Sequence, residues 1–208
     1  MTIRETLLRP WWAIVRGYLR VIEPLVGWCV RRGVAPNTIT IVGTGVAAVV
    51  GVLFAVGRVS AGGWTLGLLA FFDVIDGEVA RRTGRATAYG AFLDATLDRV
   101  ADACLLGGLV VLYATHPVHR SGGMVVVALV ALVATQLTSY TRARADLAGI
   151  DLKGVGWLER PERITLLAAP QAFFGLRFEG RVLAGVVALL AAAGVVTVWQ
   201  RMRRVAQG

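Results

Sequence analysis

Six of the chain's 13 acidic residues fall between positions 73 and 102: Asp73, Asp76, Glu78, Asp94, Asp98 and Asp102. On helices, Asp73 and Asp76 (i, i+3) share one face, and so do Asp94 and Asp98 (i, i+4). Four carboxylates gathered in a low dielectric repel one another unless cations separate them. All-oxygen donors of this type select Mg²⁺ or Mn²⁺, and a set of four suits a pair of ions. The set contains no His or Cys, which disfavours zinc. Next to it, Arg81 offers a planar cationic fork suited to phosphate. Gly77 leaves the backbone bare beside Asp76; this reads either as room for a ligand or as close helix packing. A plainer reading of the carboxylates also stands, in which they pair with Arg81, Arg82 and Arg99.

The elements that must position these groups follow from composition. The chain is 56% hydrophobic and 17% charged, with mean hydropathy +0.67. Soluble domains are about 45–50% apolar and about 25% charged, so a soluble fold is excluded, and disorder with it. A net charge of +9 in so apolar a chain fits an anionic membrane face and argues against nucleic acid as a partner. Spanning helices need about 20 apolar residues. Six segments qualify: 38–57, 63–81, 90–115, 123–147, 162–176 and 181–200. The fifth is short and contains Pro170. Residues 1–34 alternate arginines with Trp11, Trp12, Tyr18 and aliphatic side chains, the pattern of an amphipathic helix lying in the interface. The expected fold is an all-α membrane protein: six transmembrane helices over 35–204, preceded by an N-terminal amphipathic interfacial segment. With the N-terminus inside, seventeen of the 22 Lys and Arg fall on the cytoplasmic side and four outside. Both termini are then cytoplasmic.

An ionised carboxylate within a span costs about 2.5–3.5 kcal/mol on insertion scales, so such residues face a bundle interior or a cavity. The second and third spans, joined over 82–89, run antiparallel. Their acidic pairs are expected roughly 8–13 Å below the cytoplasmic helix ends at 1.5 Å per residue, converging if the two faces oppose. Thr87 stands where it can cap the third span, which Gly90 begins.

Written out, residues 73–98 read DVIDGEVARRTGRATAYGAFLDATLD. This resembles, at each of eight defined positions, the signature of the CDP-alcohol phosphotransferase family, D-x2-D-G-x2-A-R-x8-G-x3-D-x3-D. The resemblance implies a six-helix membrane enzyme with a cytoplasm-facing site and, in the relatives, a homodimer. By position, it implies that Asp73, Asp76, Asp94 and Asp98 hold two divalent metals, Mg²⁺ or Mn²⁺. Asp98 then doubles as the general base toward the acceptor hydroxyl. Gly77, Ala80, Arg81 and Thr87 match positions on the CDP side of the donor. Asn37 and Thr40, in APNTIT, resemble the cytidine-side contacts, although several relatives have Asp at position 37. The chemistry is self-consistent: two metals can clamp a diphosphate, phosphoryl chemistry needs mainly positioning and charge neutralisation, and a nearby carboxylate can deprotonate an alcohol.

Residues 136–163, QLTSYTRARADLAGIDLKGVGWLERPER, add a basic cluster on the same side. Orientation bias alone accounts for it on one reading; on the other, Arg142, Arg160, Arg163 and Arg201 bind a phosphate on the acceptor. The run SYTRARAD followed by ERPER resembles the actinobacterial phosphatidylinositol phosphate synthases, which implies CDP-diacylglycerol as donor and inositol 1-phosphate, a phosphorylated polyol, as acceptor. Arg142 stands where those enzymes usually carry Lys, a change that keeps charge but not geometry. Glycerol 3-phosphate, serine or another lipid alcohol are the alternative acceptors. An ion-transport site is a remote alternative, since it calls for acids spread along a path through several spans. The expected location is the cell membrane, among its lipids, with the site on the cytoplasmic side.

Overall fold

The computed structural model describes residues 23–84, 87–152 and 154–207, with the side chains at 70–74 and 76 outside the description. Most of the N-terminal amphipathic segment, residues 1–22, lies outside the described residues; the described part is helical over 23–31 (α1). Six longer helices follow: α2 (Pro36–Ala55), α3 (Val59–Thr83), α4 (Ala88–Thr115), α5 (Gly122–Leu147), α6 (Arg160–Phe174) and α7 (Arg181–Ala206). They coincide with the six apolar segments to within a few residues at most ends. Among the described residues α2, α5 and the Phe178–Ala206 run are long and apolar enough to cross a membrane, and α3 opens with a shorter apolar stretch, Val59–Leu69. In α4 the charges at Asp98, Arg99 and Asp102 interrupt the apolar run, and α6 has only 15 residues.

The helix ends follow local chemistry. Pro36 opens α2 at a position where its missing N–H costs nothing. Gly84, at φ 63°, closes α3 in the left-handed region that a side chain disfavours. Thr87 caps α4, its Oγ1 accepting from the Gly90 N–H at 2.9 Å. Ser121 caps α5 by accepting from Met124 N–H at 3.3 Å. The Glu162 carboxylate accepts from the Glu159 N–H at 2.8 Å and completes a capping box at α6.

Close packing links α2 to α3 and α4, α4 to α5, α5 to α7, α7 to α6, and α6 back to α3, a closed cycle of six helices. The consecutive helices α3 and α4 are therefore not one of its closely packed pairs: α2 stands between them. The short 82–89 connection therefore joins two helices that flank a third. The physical reason lies in α2, whose buried Gly43, Ala47 and Gly51 offer a narrow surface for close approach.

Three of these pairs cross at glycine. A Cβ on Gly108 would collide with the Gly51 backbone, and one on Gly51 with the Cys104 carbonyl, fixing α4 against α2. A Cβ on Gly63 would strike the α6 backbone at Gln171 and Ala172, and one on Gly194 would press on Ala134 of α5. Between lipid-facing helices, small residues let backbones approach and gain dispersion contact. The aliphatic core closes around these crossings, with Phe54, Leu66, Leu105, Leu109, Leu112 and Leu183 fully buried. Gly107, next to Gly108, has nothing within 4 Å of where its Cβ would stand. Gly108→Ala is expected to destabilise by about 1–3 kcal/mol through overpacking. Gly107→Ala should be neutral or stabilising by up to about 1 kcal/mol from helix propensity. Thermal unfolding of the two variants in detergent checks the contrast.

Candidate active site

The donor-side residues collect where the start of α2, the end of α3 and the start of α4 meet. Asn37 and Thr87 converge on Gly90: a Cβ there would sit 3.2 Å from both Asn37 Oδ1 and Thr87 Oγ1. Thr40 lies one turn further along α2 and donates from Oγ1 to the Pro36 carbonyl at 3.3 Å. On α3, Ala80 is half-buried and Arg81 exposed. Arg81 is held by Glu78 through two hydrogen bonds of 2.7 and 3.1 Å. Glu78 also accepts from Arg82 Nε at 2.8 Å, and Arg82 reaches Glu23 of α1 with paired bonds of 2.7 Å. The Arg82 hydrogen bond holds the Glu23 carboxyl below the usual carboxylate range. This exposed ladder ties α1 to the signature helix, and both arginines also complement the negative end of the α3 dipole.

Gly77 can now be separated from the packing glycines. Among the described residues a Cβ on it would meet only the far end of the Arg81 side chain, at 3.5 Å, so none of the described helix contacts requires glycine here. A bare backbone beside Arg81 is the kind of cradle a phosphate-bearing ligand needs.

Of the four signature carboxylates, Asp73 and Asp76 lie on α3 with side chains outside the described residues. Asp94 is exposed, and Asp98, one turn along α4, is half-buried. Among the described residues no group of three or more His, Cys, Asp or Glu is gathered, because half of the expected set is not described. The described half fits a hard divalent cation in donor chemistry: carboxylate oxygens one helical turn apart, next to a glycine-lined approach.

The acceptor-side arginines do come together. A cavity of about 350 Å³ between α4, α5, the 154–159 loop, α6 and α7 is lined by Asp98, Arg142, Arg160, Arg163 and Arg201. Arg160 Nη2 stands 2.7 Å from Asp98 Oδ1. Arg201 spends two nitrogens on backbone: Nε donates to the Val155 carbonyl at 3.1 Å and Nη1 to the Thr138 carbonyl. It is therefore an anchor for the loop as well as a cavity wall. That loop docks further through the Trp157 N–H to Thr197 Oγ1, 3.1 Å. At Gly156, φ 140° and the closeness of Thr197 both exclude a side chain.

Sequence reasoning missed Arg99, Thr138, Ser139 and Asp146, which line the same cavity. The signal for Thr138 and Ser139 was present, since they precede Arg142 by four and three residues and so share its helix face. Arg99 entered the sequence reading only as a partner for the carboxylates, and it does lie near Asp98 and Asp102; its carbonyl also accepts from Gln136 Nε2 at 3.1 Å and ties α4 to α5. Gly77→Ala supplies a direct test of the donor side. The fold should keep its melting temperature, while kcat/KM for a CDP-lipid falls about tenfold or more as the new methyl displaces the ligand. Equal losses of stability and turnover would return Gly77 to the packing residues.

Comparison with known proteins agrees with the signature and the fold. The CDP-alcohol phosphatidyltransferase family description matches residues 33–199. The chain is 38% identical over 192 residues to the phosphatidylinositol phosphate synthase of Mycobacteroides abscessus, covering 90% of this chain and 84% of that one. It is 36% identical over 195 residues to the corresponding synthase of Streptomyces avermitilis, covering 89% and 78%. Among solved structures, the Mycobacterium tuberculosis phosphatidylinositol phosphate synthase with CDP-DAG bound superposes with a TM-score of 0.81 at 34% identity, over 89% of this chain and 94% of that one. The same enzyme in complex with manganese and citrate gives 0.79 at 35% identity, over 88% and 87%. The intact eight-residue signature, the family match over most of the chain and the shared helical architecture lead to one conclusion: this membrane protein belongs to the CDP-alcohol phosphatidyltransferase family and is a transferase.

Proposed function

We propose that the chain transfers the phosphatidyl group of CDP-diacylglycerol to a hydroxyl of inositol 1-phosphate and releases CMP. The observation that carries the acceptor is the charge of the 350 Å³ cavity. Five arginines (99, 142, 160, 163 and 201) face three carboxylates (Asp98, Asp146 and Glu159) in its lining. Asp102 stands behind Arg99 and Arg160, and the arginines still outnumber the carboxylates; a net positive lining suits a phosphomonoester, and guanidinium forks suit its oxygens. The first turn of α6 adds the positive end of a helix dipole. An unphosphorylated acceptor such as serine would leave those charges unmet. Glycerol 3-phosphate satisfies the same charge rule, so the polyol itself must be read by experiment. The names of the synthases at 36–38% identity favour the inositol phosphate.

In this reading Asp73, Asp76, Asp94 and Asp98 hold two divalent ions, Mg²⁺ or Mn²⁺, which when bound neutralise the donor diphosphate. Asn37, Thr40, Gly77, Ala80, Arg81 and Thr87 seat the CDP moiety. Arg142, Arg160, Arg163 and Arg201 hold the acceptor phosphate. Asp98 takes the proton from the acceptor hydroxyl, whose oxygen bonds to the β-phosphorus as the bond to the CMP oxygen breaks. Arg160, paired with Asp98 at 2.7 Å, links the acceptor pocket to the base and so brings the hydroxyl to the reacting carboxylate. We also read the chain as six spans with both termini and the site on the cytoplasmic side of the plasma membrane, after an interfacial 1–34 segment. It acts as a homodimer among membrane lipids. Support comes from the Lys and Arg distribution and from the helices that coincide with the apolar segments.

The test is CMP release from CDP-diacylglycerol by the purified full chain with inositol 1-phosphate, inositol, glycerol 3-phosphate or serine. Turnover is expected with inositol 1-phosphate and not with inositol; equal turnover with both removes the acceptor assignment. Asp98→Asn should lower kcat by about 10²–10⁴-fold, the usual contribution of a general base. Chelation should abolish turnover, and added Mg²⁺ or Mn²⁺ should restore it. Arg142→Gln is expected to raise the acceptor KM by about 10–100-fold, the loss of a charge-assisted hydrogen bond, with the donor KM unchanged.

A further inference from the structure

Adjoining the acceptor cavity, and sharing Arg163 with it, is a pocket of about 20 Å³ whose wall is otherwise Asp102, Thr135 and four aliphatic side chains of α4 and α6. Asp102 is 5% exposed and stands outside the family signature. Its Oδ2, together with Nε and Nη1 of Arg163, is buried without a hydrogen-bond partner among the described residues. Folded interiors leave few such atoms unmet. A space of this size accommodates about one water, which can serve two to four polar groups. The same carboxylate also faces two other arginines of the cavity: Arg99 Nη2 lies 3.6 Å from Oδ2, and Arg160 Nε lies 4.0 Å from Oδ1.

We propose that Asp102 is a positioning residue for the acceptor phosphate. It holds Arg163 through one internal water in this pocket, and Arg99 and Arg160 by direct charge contact. The proposal rests on the acceptor-phosphate reading given above. Three guanidinium groups converging at the edge of a low-dielectric bundle repel one another. Asp102, one turn beyond Asp98 on α4, offsets that repulsion together with Asp98 and, being buried, sets where the forks point. The water satisfies the donors that the carboxylate does not reach.

The sign of the effect separates positioning from simple charge balance. If Asp102 were only a counter-ion, its neutralisation would strengthen phosphate binding; if it positions the arginines, binding weakens. For Asp102→Asn in the full chain, with Mg²⁺ and CDP-diacylglycerol, the acceptor KM for inositol 1-phosphate is expected to rise about tenfold, as misplacement of binding groups does. The donor KM should stay near wild type, and any fall in kcat should be smaller than the rise in acceptor KM. Asp102→Glu keeps the charge but fills the water space with an added methylene, and should raise the acceptor KM about threefold. If the asparagine variant does not fold, the glutamate variant decides. An acceptor KM that is unchanged or lowered in a folded variant overturns the proposal, provided Arg142→Gln raises it in the same assay. If Arg142→Gln leaves the acceptor KM unchanged too, the acceptor-phosphate reading is what fails.

Discussion

Where Gly51 of α2 meets Gly108 and the Cys104 carbonyl of α4, two helix backbones touch with no side chain between them. Inside a bilayer, burial of apolar surface does not drive one helix onto another, so such close contact must supply the adhesion. It also fixes rotation. With Gly108 turned to α2, a helix of 3.6 residues per turn points Asp102 and Asp98 roughly 80–120° away from that face. They then look toward α6 and its arginines, as the ion pairs record. A side chain at the crossing would push α4 outward and carry Asp98, the buried Asp102 and the Thr87 cap with it. The crossings at Gly63 and Gly194 hold α6 and α7 in the same way, and these helices bring the opposing cations.

Charge is the second organising force. Asp98, Asp102, Arg99, Arg160 and Arg163 occupy one region between α4 and α6, where isolated charges would be costly. They are tolerable as a network because Arg99 and Arg160 lie within 4.0 Å of Asp98 and Asp102 and Arg163 shares a pocket wall with Asp102. On the donor side the pairs are exposed, with Glu78 shared between Arg81 and Arg82. Pairs of that kind contribute little stability, about 0–1 kcal/mol. Their value lies in aiming Arg81 and in joining α1 to α3.

Much of this was legible in advance. Apolar run lengths located all six long helices, because a helix that meets lipid must satisfy its own backbone and advertise itself by composition. Thr87 was readable as a cap, since capping depends on residues three apart. The four acceptor-side arginines were readable as a group through their common side of the membrane. What stayed illegible was pairwise. A short connection makes α3 and α4 antiparallel but does not say that α2 packs between them. Gly77 and Gly108 are the same residue in a helix, and only their neighbours distinguish a ligand cradle from a helix crossing. Arg201 could not be seen to anchor the 154–159 loop, because Thr138 and Val155 are remote from it in sequence.

By itself, then, the sequence determined the membrane setting, the helices, the orientation signal and the chemistry of the signature. All of these depend on composition or on spacings within one or two turns. The tertiary structure alone decided which helices touch, which glycines are crossings, and that Asp98, Asp102 and five arginines from four elements share one region. The physical reason is range. Periodicity and capping act through neighbours on a single helix, whereas helix order and the filling of the acceptor cavity depend on contacts between residues tens of positions apart.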